Sequence, residues 1–312
     1  MPARPPIPAP MPPAIASADR ADRPLLGVAL MVGFCVTAPM SDALAKIAAG
    51  SFPILQIVAI RFFVQAGVLV PVALSVGRGL RMSGRAWRLT AARSALQVLG
   101  IYWMTSALRH LPLADAIAIA FVMPFILMLL GHWWMGETVG PRRIRACLLG
   151  FVGTLMVMQP SFAAVGWPVL YPLGVAVVFA VFMLVTRQLG READAIAMQA
   201  NSGLLAGGAL AVLYLVAPAG SGATWQPIGA DGMLLLTMGL LGTLGHLLMT
   251  WSLRHAPAST LAPMQYLEIP VAAAIGLALF GDWPDGLAAA GIAVTVGVGL
   301  WVLRLEAKAA AT

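Results

Sequence analysis

The residues best placed to do chemistry in this 312-residue sequence are charged groups set inside apolar runs. Glu268 stands in "MQYLEIP", about ten residues into the apolar stretch 258–280. At the helical rise that is about 15 Å deep, the middle of a bilayer. A charge there costs about 3 kcal/mol on insertion scales, so it must face a wet cavity or a partner. Two readings stand: substrate contact or proton coupling, against a hydrogen-bonded glutamate that fixes helix packing. Arg61, in "AIRFFVQAG", lies about 12 Å inside the run 53–75. It either meets a solute anion, snorkels outward, or pairs with Glu268 or a backbone carbonyl to hold the bundle. His246, in "LGTLGHLLM", has nearly the depth of Glu268. A histidine–carboxylate pair relays protons, whereas a lone histidine is more often a satisfied core residue. Gln265, Tyr266, Trp103 and Trp251 are candidates for an aromatic and amide lining. Asp115 and Asp42 read as entrance or capping groups near one mouth. Pro124, Pro263 and Pro270 interrupt two runs near mid-depth, where the carbonyls they free either line a site or mark an ordinary kink.

Other chemistries lack their residues. His110, His132, His246 and His255 are scattered and no H-E-x-x-H occurs, so no metal is expected. There is no G-x-x-x-x-G-K-[ST] loop, and no cofactor is expected. Cys35 and Cys147 both fall in apolar runs and read as buried thiols.

The elements that must hold these residues follow from composition. Only 10% of the chain is charged and 60% is hydrophobic, too few charges to dress a water-facing surface. The chain therefore reads as an all-α integral membrane protein. Ten apolar runs are long enough to span: 25–44, 53–75, 89–108, 112–133, 143–160, 168–186, 195–217, 232–253, 258–280 and 286–304. Residues 1–24 hold seven prolines before Ala14 and read as a disordered tail, and 306–312 as a second, short tail. The formal charge of +7 comes from arginines gathered between runs, which is a topology signal rather than a nucleic-acid groove. With both termini cytoplasmic, sixteen Lys and Arg residues lie inside or at inner span ends, including Arg93 and Arg187. Only Lys46 and Arg109 lie outside.

The sequence also repeats itself. "LGIYWMTSALRHLP" (99–112) and "LGHLLMTWSLRHAP" (244–257) share eight of fourteen positions at an offset of 145 residues. Gly136-Glu137 and Gly281-Asp282 keep the same offset. Five runs lie in 25–160 and five in 161–305. An odd number of crossings sends the second copy through the membrane upside down, the arrangement of secondary transporters. The Arg-His-x-Pro turns then fall on opposite faces and read as hinges of gates.

These features together resemble the EamA family of the drug/metabolite transporter superfamily. The resemblance rests on ten spans in two halves, the arginine early in span 2, the "LR-x-x-P" turns, the Gly-acid pairs and "YLEIP". The family's usual form places proline directly after the glutamate, and Ile269 intervenes here. The resemblance implies a basket of helices around a central cavity. It also implies a small organic solute of the amino-acid, nucleotide-cofactor or vitamin class, such as S-adenosylmethionine or riboflavin. The sequence thus predicts a secondary transporter of the cell inner membrane, whose partners are that solute and the lipid bilayer. It leaves a homodimer open. An integral-membrane enzyme, or a receptor or scaffold without transport, is the alternative, and the inverted repeat speaks against both.

Overall fold

The computed structural model describes residues 23–77, 79–136, 139–158, 166–190, 192–218, 224–281 and 286–311. The expected proline-rich tail lies almost wholly outside these residues, as do Glu137 and Asp282. Twelve α-helices and two short 3₁₀ turns account for the regular structure, with no strand among the described residues. They are α1 (Pro24–Ala48), α2 (Ile54–Ser75), α3 (Gly84–Leu108), α4 (Leu113–Ala120), α5 (Met123–Met135) and α6 (Pro141–Met158). After them come α7 (Leu170–Leu189), α8 (Ala195–Val216), α9 (Gly232–His255), α10 (Ala258–Gln265), α11 (Glu268–Phe280) and α12 (Gly286–Ala311).

Each predicted run is helical, but two are broken. The run 112–133 is α4 followed by α5, and the run 258–280 is α10 followed by α11. Every boundary of the second pair lies 145 residues beyond its counterpart. The breaks have one cause. Pro124 and Pro270 carry no N–H, so the carbonyls of Ala120 and Tyr266 lose their ordinary α-helical partners. Each first half-helix instead closes with a tighter turn. The Phe121 N–H donates to the Ala118 carbonyl at 3.0 Å, and the Leu267 N–H donates to the Met264 carbonyl at 3.1 Å, while the Tyr266 carbonyl accepts from the Ile269 N–H at 3.2 Å. Both broken rods end on a left-handed glycine, Gly136 at φ 66° and Gly281 at φ 73°.

Among the described residues, seven segments are long and apolar enough to cross a membrane. Shorter apolar stretches lie at Ile144–Gly153 within α6 and at Ala289–Trp301 within α12. Two ends differ most from the sequence reading. Ser83 caps α3 through the Ala86 N–H at 3.1 Å, so that helix begins at Gly84 rather than 89. Meanwhile α12 runs on to Ala311, through a stretch rich in Ala, Glu and Lys that favours helix.

The closest helix pairs are α1 with α9, α2 with α8, α3 with α7, and α6 with α12. Small residues permit them. A Cβ on Gly203 of α8 would lie 2.9 Å from the Ala66 amide nitrogen of α2, and one on Gly27 of α1 would lie 2.6 Å from the Ala256 Cβ. Between α1, α5, α7, α9 and α10 lies the largest core, built on Met31, Phe34, Leu127, Phe182, Met183 and Met249. The broken rods cross one another beside it, α4 against α11 and α5 against α10. Backbone ends are thereby brought into the middle of the molecule.

Candidate functional site

The crossing of the broken rods leaves a cavity of about 80 Å³. Its wall takes residues from α1, α2, α3, α4, α5, α7, α9 and α11. On one side Asp42 and Arg61 form an ion pair, with the Arg61 Nη1 at 3.1 Å from the Asp42 Oδ1. Arg61 reaches this position because Gly242 of α9 has no side chain. A Cβ there would lie 3.0 Å from the Arg61 Nη2.

Glu268 enters from the opposite direction as the first residue of α11. It is 9% exposed, and its Oε1 has no hydrogen-bond partner among the described residues. The start of a helix carries unsatisfied N–H groups and partial positive charge, which suits an acidic group facing a cavity. Met123, the residue at the same place in the other half, also lines the cavity. The two breaks therefore present a carboxyl and a thioether to one space.

His246 completes the polar set. Its ring lies 6.4 Å from that of Phe34, 6.1 Å from Phe179 and 5.7 Å from Phe182, and its Nδ1 has no partner among the described residues. Phe34, Phe179 and Phe121 give the rest of the wall an aromatic character. With Asp42 and Arg61 paired to each other, Glu268 is the acid left to meet a guest. The cavity thus combines a flat apolar wall with a few convergent polar groups, the usual make-up of a small-molecule site.

The sequence profile of the EamA-like transporter family matches residues 25–159 and again residues 166–304. This chain belongs to that family. As an EamA-like protein it is a membrane transporter of a small metabolite. It is 29% identical to a riboflavin transporter of Rhizobium johnstonii over 231 residues, covering 71% of this chain and 72% of that one. It is 22% identical to an S-adenosylmethionine uptake transporter of Rickettsia felis over 285 residues, covering 91% and 95%. A pseudopaline exporter of Pseudomonas aeruginosa is 28% identical over 275 residues, covering 85% and 91%. A solved crystal structure shares the fold at a TM-score of 0.68 and 22% identity, over 89% of this chain and 98% of the other.

Of the eight polar and aromatic candidates, Glu268, Arg61 and His246 meet in the transporter's cavity, and five lie elsewhere. Gln265 donates from Nε2 to the Met183 sulfur at 3.0 Å. Tyr266 is fully buried, its ring 5.4 Å from Phe121 and pressed on Gly150. Trp103 covers Gly174, and Trp251 packs with Leu69 and Leu247. Asp115 stands in the first turn of α4. Among the prolines, Pro124 and Pro270 follow the cavity residues Met123 and Glu268 by one and two positions, while Pro263 lies within α10.

Arg61 pairs with Asp42, not with Glu268. That partnership was open to sequence reasoning: Asp42 lies six residues before the end of α1 and Arg61 seven after the start of α2, equal depths across a short turn. The EamA-like fold also holds a buried cation that the sequence reading placed at a span end. Arg93 is 0% exposed and ties α3 to α7 and α8. Arg187 is buried too, donating to the carbonyls of Leu253 and Ala256.

Proposed function

We propose that this EamA-family protein is a secondary transporter working by alternating access between two inverted halves of five spans each, residues 25–160 and 161–305. The helix pairings support this reading. Exchanging each helix for its counterpart 145 residues away turns α1–α9 into α7–α3, α2–α9 into α8–α3, and α4–α11 into α10–α5, all of them pairs the fold contains. A set of pairings unchanged by that exchange lets two halves of different conformation trade them, which moves a central cavity from one side to the other. Both termini are cytoplasmic in this reading, in a bacterial inner membrane. Setting aside the buried Arg93 and Arg187 leaves the excess of Lys and Arg on that side intact.

The solute is a small organic metabolite with a planar ring and a polar or cationic end, in the class of riboflavin and S-adenosylmethionine. The single observation behind this is the cavity wall: Phe34, Phe121 and Phe179 offer flat apolar surface, and Glu268 offers a carboxyl with an open Oε1.

Solute counterflow in proteoliposomes tests the reading. Vesicles preloaded with unlabelled riboflavin or S-adenosylmethionine accumulate the same labelled solute transiently, above protein-free vesicles. No accumulation of either would remove this solute class.

A further inference from the structure

The cavity does not reach the face of the protein where α3 and α8 begin. A second space of about 290 Å³ opens there, walled by Arg81, Ser83, Ala86, Glu192, Asp194 and Ala197. The two spaces share a helix: α3 gives Gln97 and Gly100 to the cavity and Ala86 to the second space. Between them lies a buried polar layer. The Gln97 Nε2 is 3.5 Å from the Gln65 Oε1, the Gln65 Nε2 donates to the Gln199 Oε1 at 3.1 Å, and the Gln199 Nε2 donates to the Thr250 hydroxyl at 3.0 Å.

Arg93 occupies this layer one turn from Gln97. Its Nε donates to the Thr186 hydroxyl at 2.9 Å and its Nη1 to the Ser202 hydroxyl at 2.6 Å. The guanidinium carbon lies 4.6 Å from the centre of the Phe182 ring, and Nη2 has no partner among the described residues. No carboxylate pairs with Arg93 among the described residues. Two neutral hydroxyls and a ring face leave a buried positive charge uncompensated, an arrangement that is costly unless an anion visits it. Carboxylates and phosphates fit a guanidinium's parallel N–H groups. Phe182 is the partition, with Arg93 over its face and the His246 ring of the cavity nearly perpendicular to it at 5.7 Å.

We propose that Arg93 is an anion subsite on the solute's route between the cavity and the second space. It takes a carboxylate or phosphate group of the solute when Phe182 turns aside. Glu268 and Arg93 then hold opposite charges of one guest at successive stations, so solutes bearing both charges pass best. The route rests on the alternating-access reading above.

Methanethiosulfonate reagents carrying a sulfonate or a trimethylammonium group test this in membrane vesicles. The protein has Cys35 and Cys147 replaced by Ala and carries either Ser202→Cys or, as a cavity reference, Ala38→Cys. A nearby unit charge, partly screened, favours the anionic reagent at the first thiol by about tenfold relative to the reference. Arg93→Lys keeps most of that preference and Arg93→Gln abolishes it. Should Arg93→Gln fail to fold, the preference at Ser202→Cys over Ala38→Cys, kept in Arg93→Lys, decides by itself. An unchanged ratio in a folded Arg93→Gln protein overturns the subsite. Flux in the same vesicles separates the two readings. Transport with an unreactive thiol at 202 overturns the route through Arg93. An anion-preferring thiol without transport overturns the transporter reading and leaves the subsite standing.

Discussion

Glu268 opens a half-helix at the point where two broken rods cross, and its Oε1 is free to meet a guest. Replacing it with Gln keeps shape and hydrogen bonding but removes the acid. Glu268→Gln is expected to insert and pack normally while losing at least about tenfold in flux, the effect of about 1.4 kcal/mol in the transport barrier. Flux equal to the parent protein at matched expression would reduce Glu268 to a packing role. The residues legible in the sequence were those whose polarity is expensive in an apolar run: Glu268, Arg61 and His246. Phe34, Phe121 and Phe179 gave no signal, because a phenyl ring in a membrane run looks the same facing lipid, core or cavity. Arg93 was misplaced for a different reason. Hydropathy starts the third run at 89, but Ser83 caps the helix and extends it through Arg85, Trp87 and Arg88. Nine residues of true depth then separate Arg93 from the helix start, which buries it.

The elements themselves were largely readable, since a span of twenty apolar residues bounded by Gly, Pro and Arg admits few alternatives. The two breaks were readable only in part. Prolines marked their neighbourhood, but the residues at the turns, Phe121-Val122 and Tyr266-Leu267, emerge from backbone bonding rather than composition. Helix contacts were not readable either, because several glycines look alike in sequence. Gly203 and Gly208 show the contrast on one helix. A Cβ at Gly203 meets the Ala66 backbone of α2 at 2.9 Å, and at Gly208 it meets nothing within 4 Å. Gly203→Ala is expected to destabilise by about 1–3 kcal/mol through overpacking. Gly208→Ala should be neutral or stabilise by up to about 1 kcal/mol through helix propensity. Thermal unfolding of the purified variants in one detergent measures both, and equal shifts would mean that α2 and α8 yield at this contact.

On the scale of the whole molecule, the repeated Arg-His-x-Pro turns take equivalent places. The Arg109 Nη2 donates to the Phe52 carbonyl in the α1–α2 connection at 2.8 Å. The Arg254 Nη1 lies 3.5 Å from the Asp194 Oδ2 in the α7–α8 connection. Each arginine thus ties the turn before a broken rod to the link between the first two spans of its own half. Offset alone made this symmetry legible, whereas the loops that the arginines hold were not, since contacts between turns leave no periodic trace. Alternating access requires one tie to loosen as the other closes, and the buried neighbours Leu111 and Ala256 report on it. In the cysteine-free protein, thiols at Leu111→Cys and Ala256→Cys are labelled with an impermeant maleimide, from outside and from the cytoplasmic side respectively, with and without saturating transported solute. A differential affinity of about 1.4 kcal/mol between the two states shifts their ratio tenfold. The two labelling rates should therefore move in opposite directions. Rates that rise and fall together, or that stay constant while solute is carried, would contradict the exchange of inverted halves.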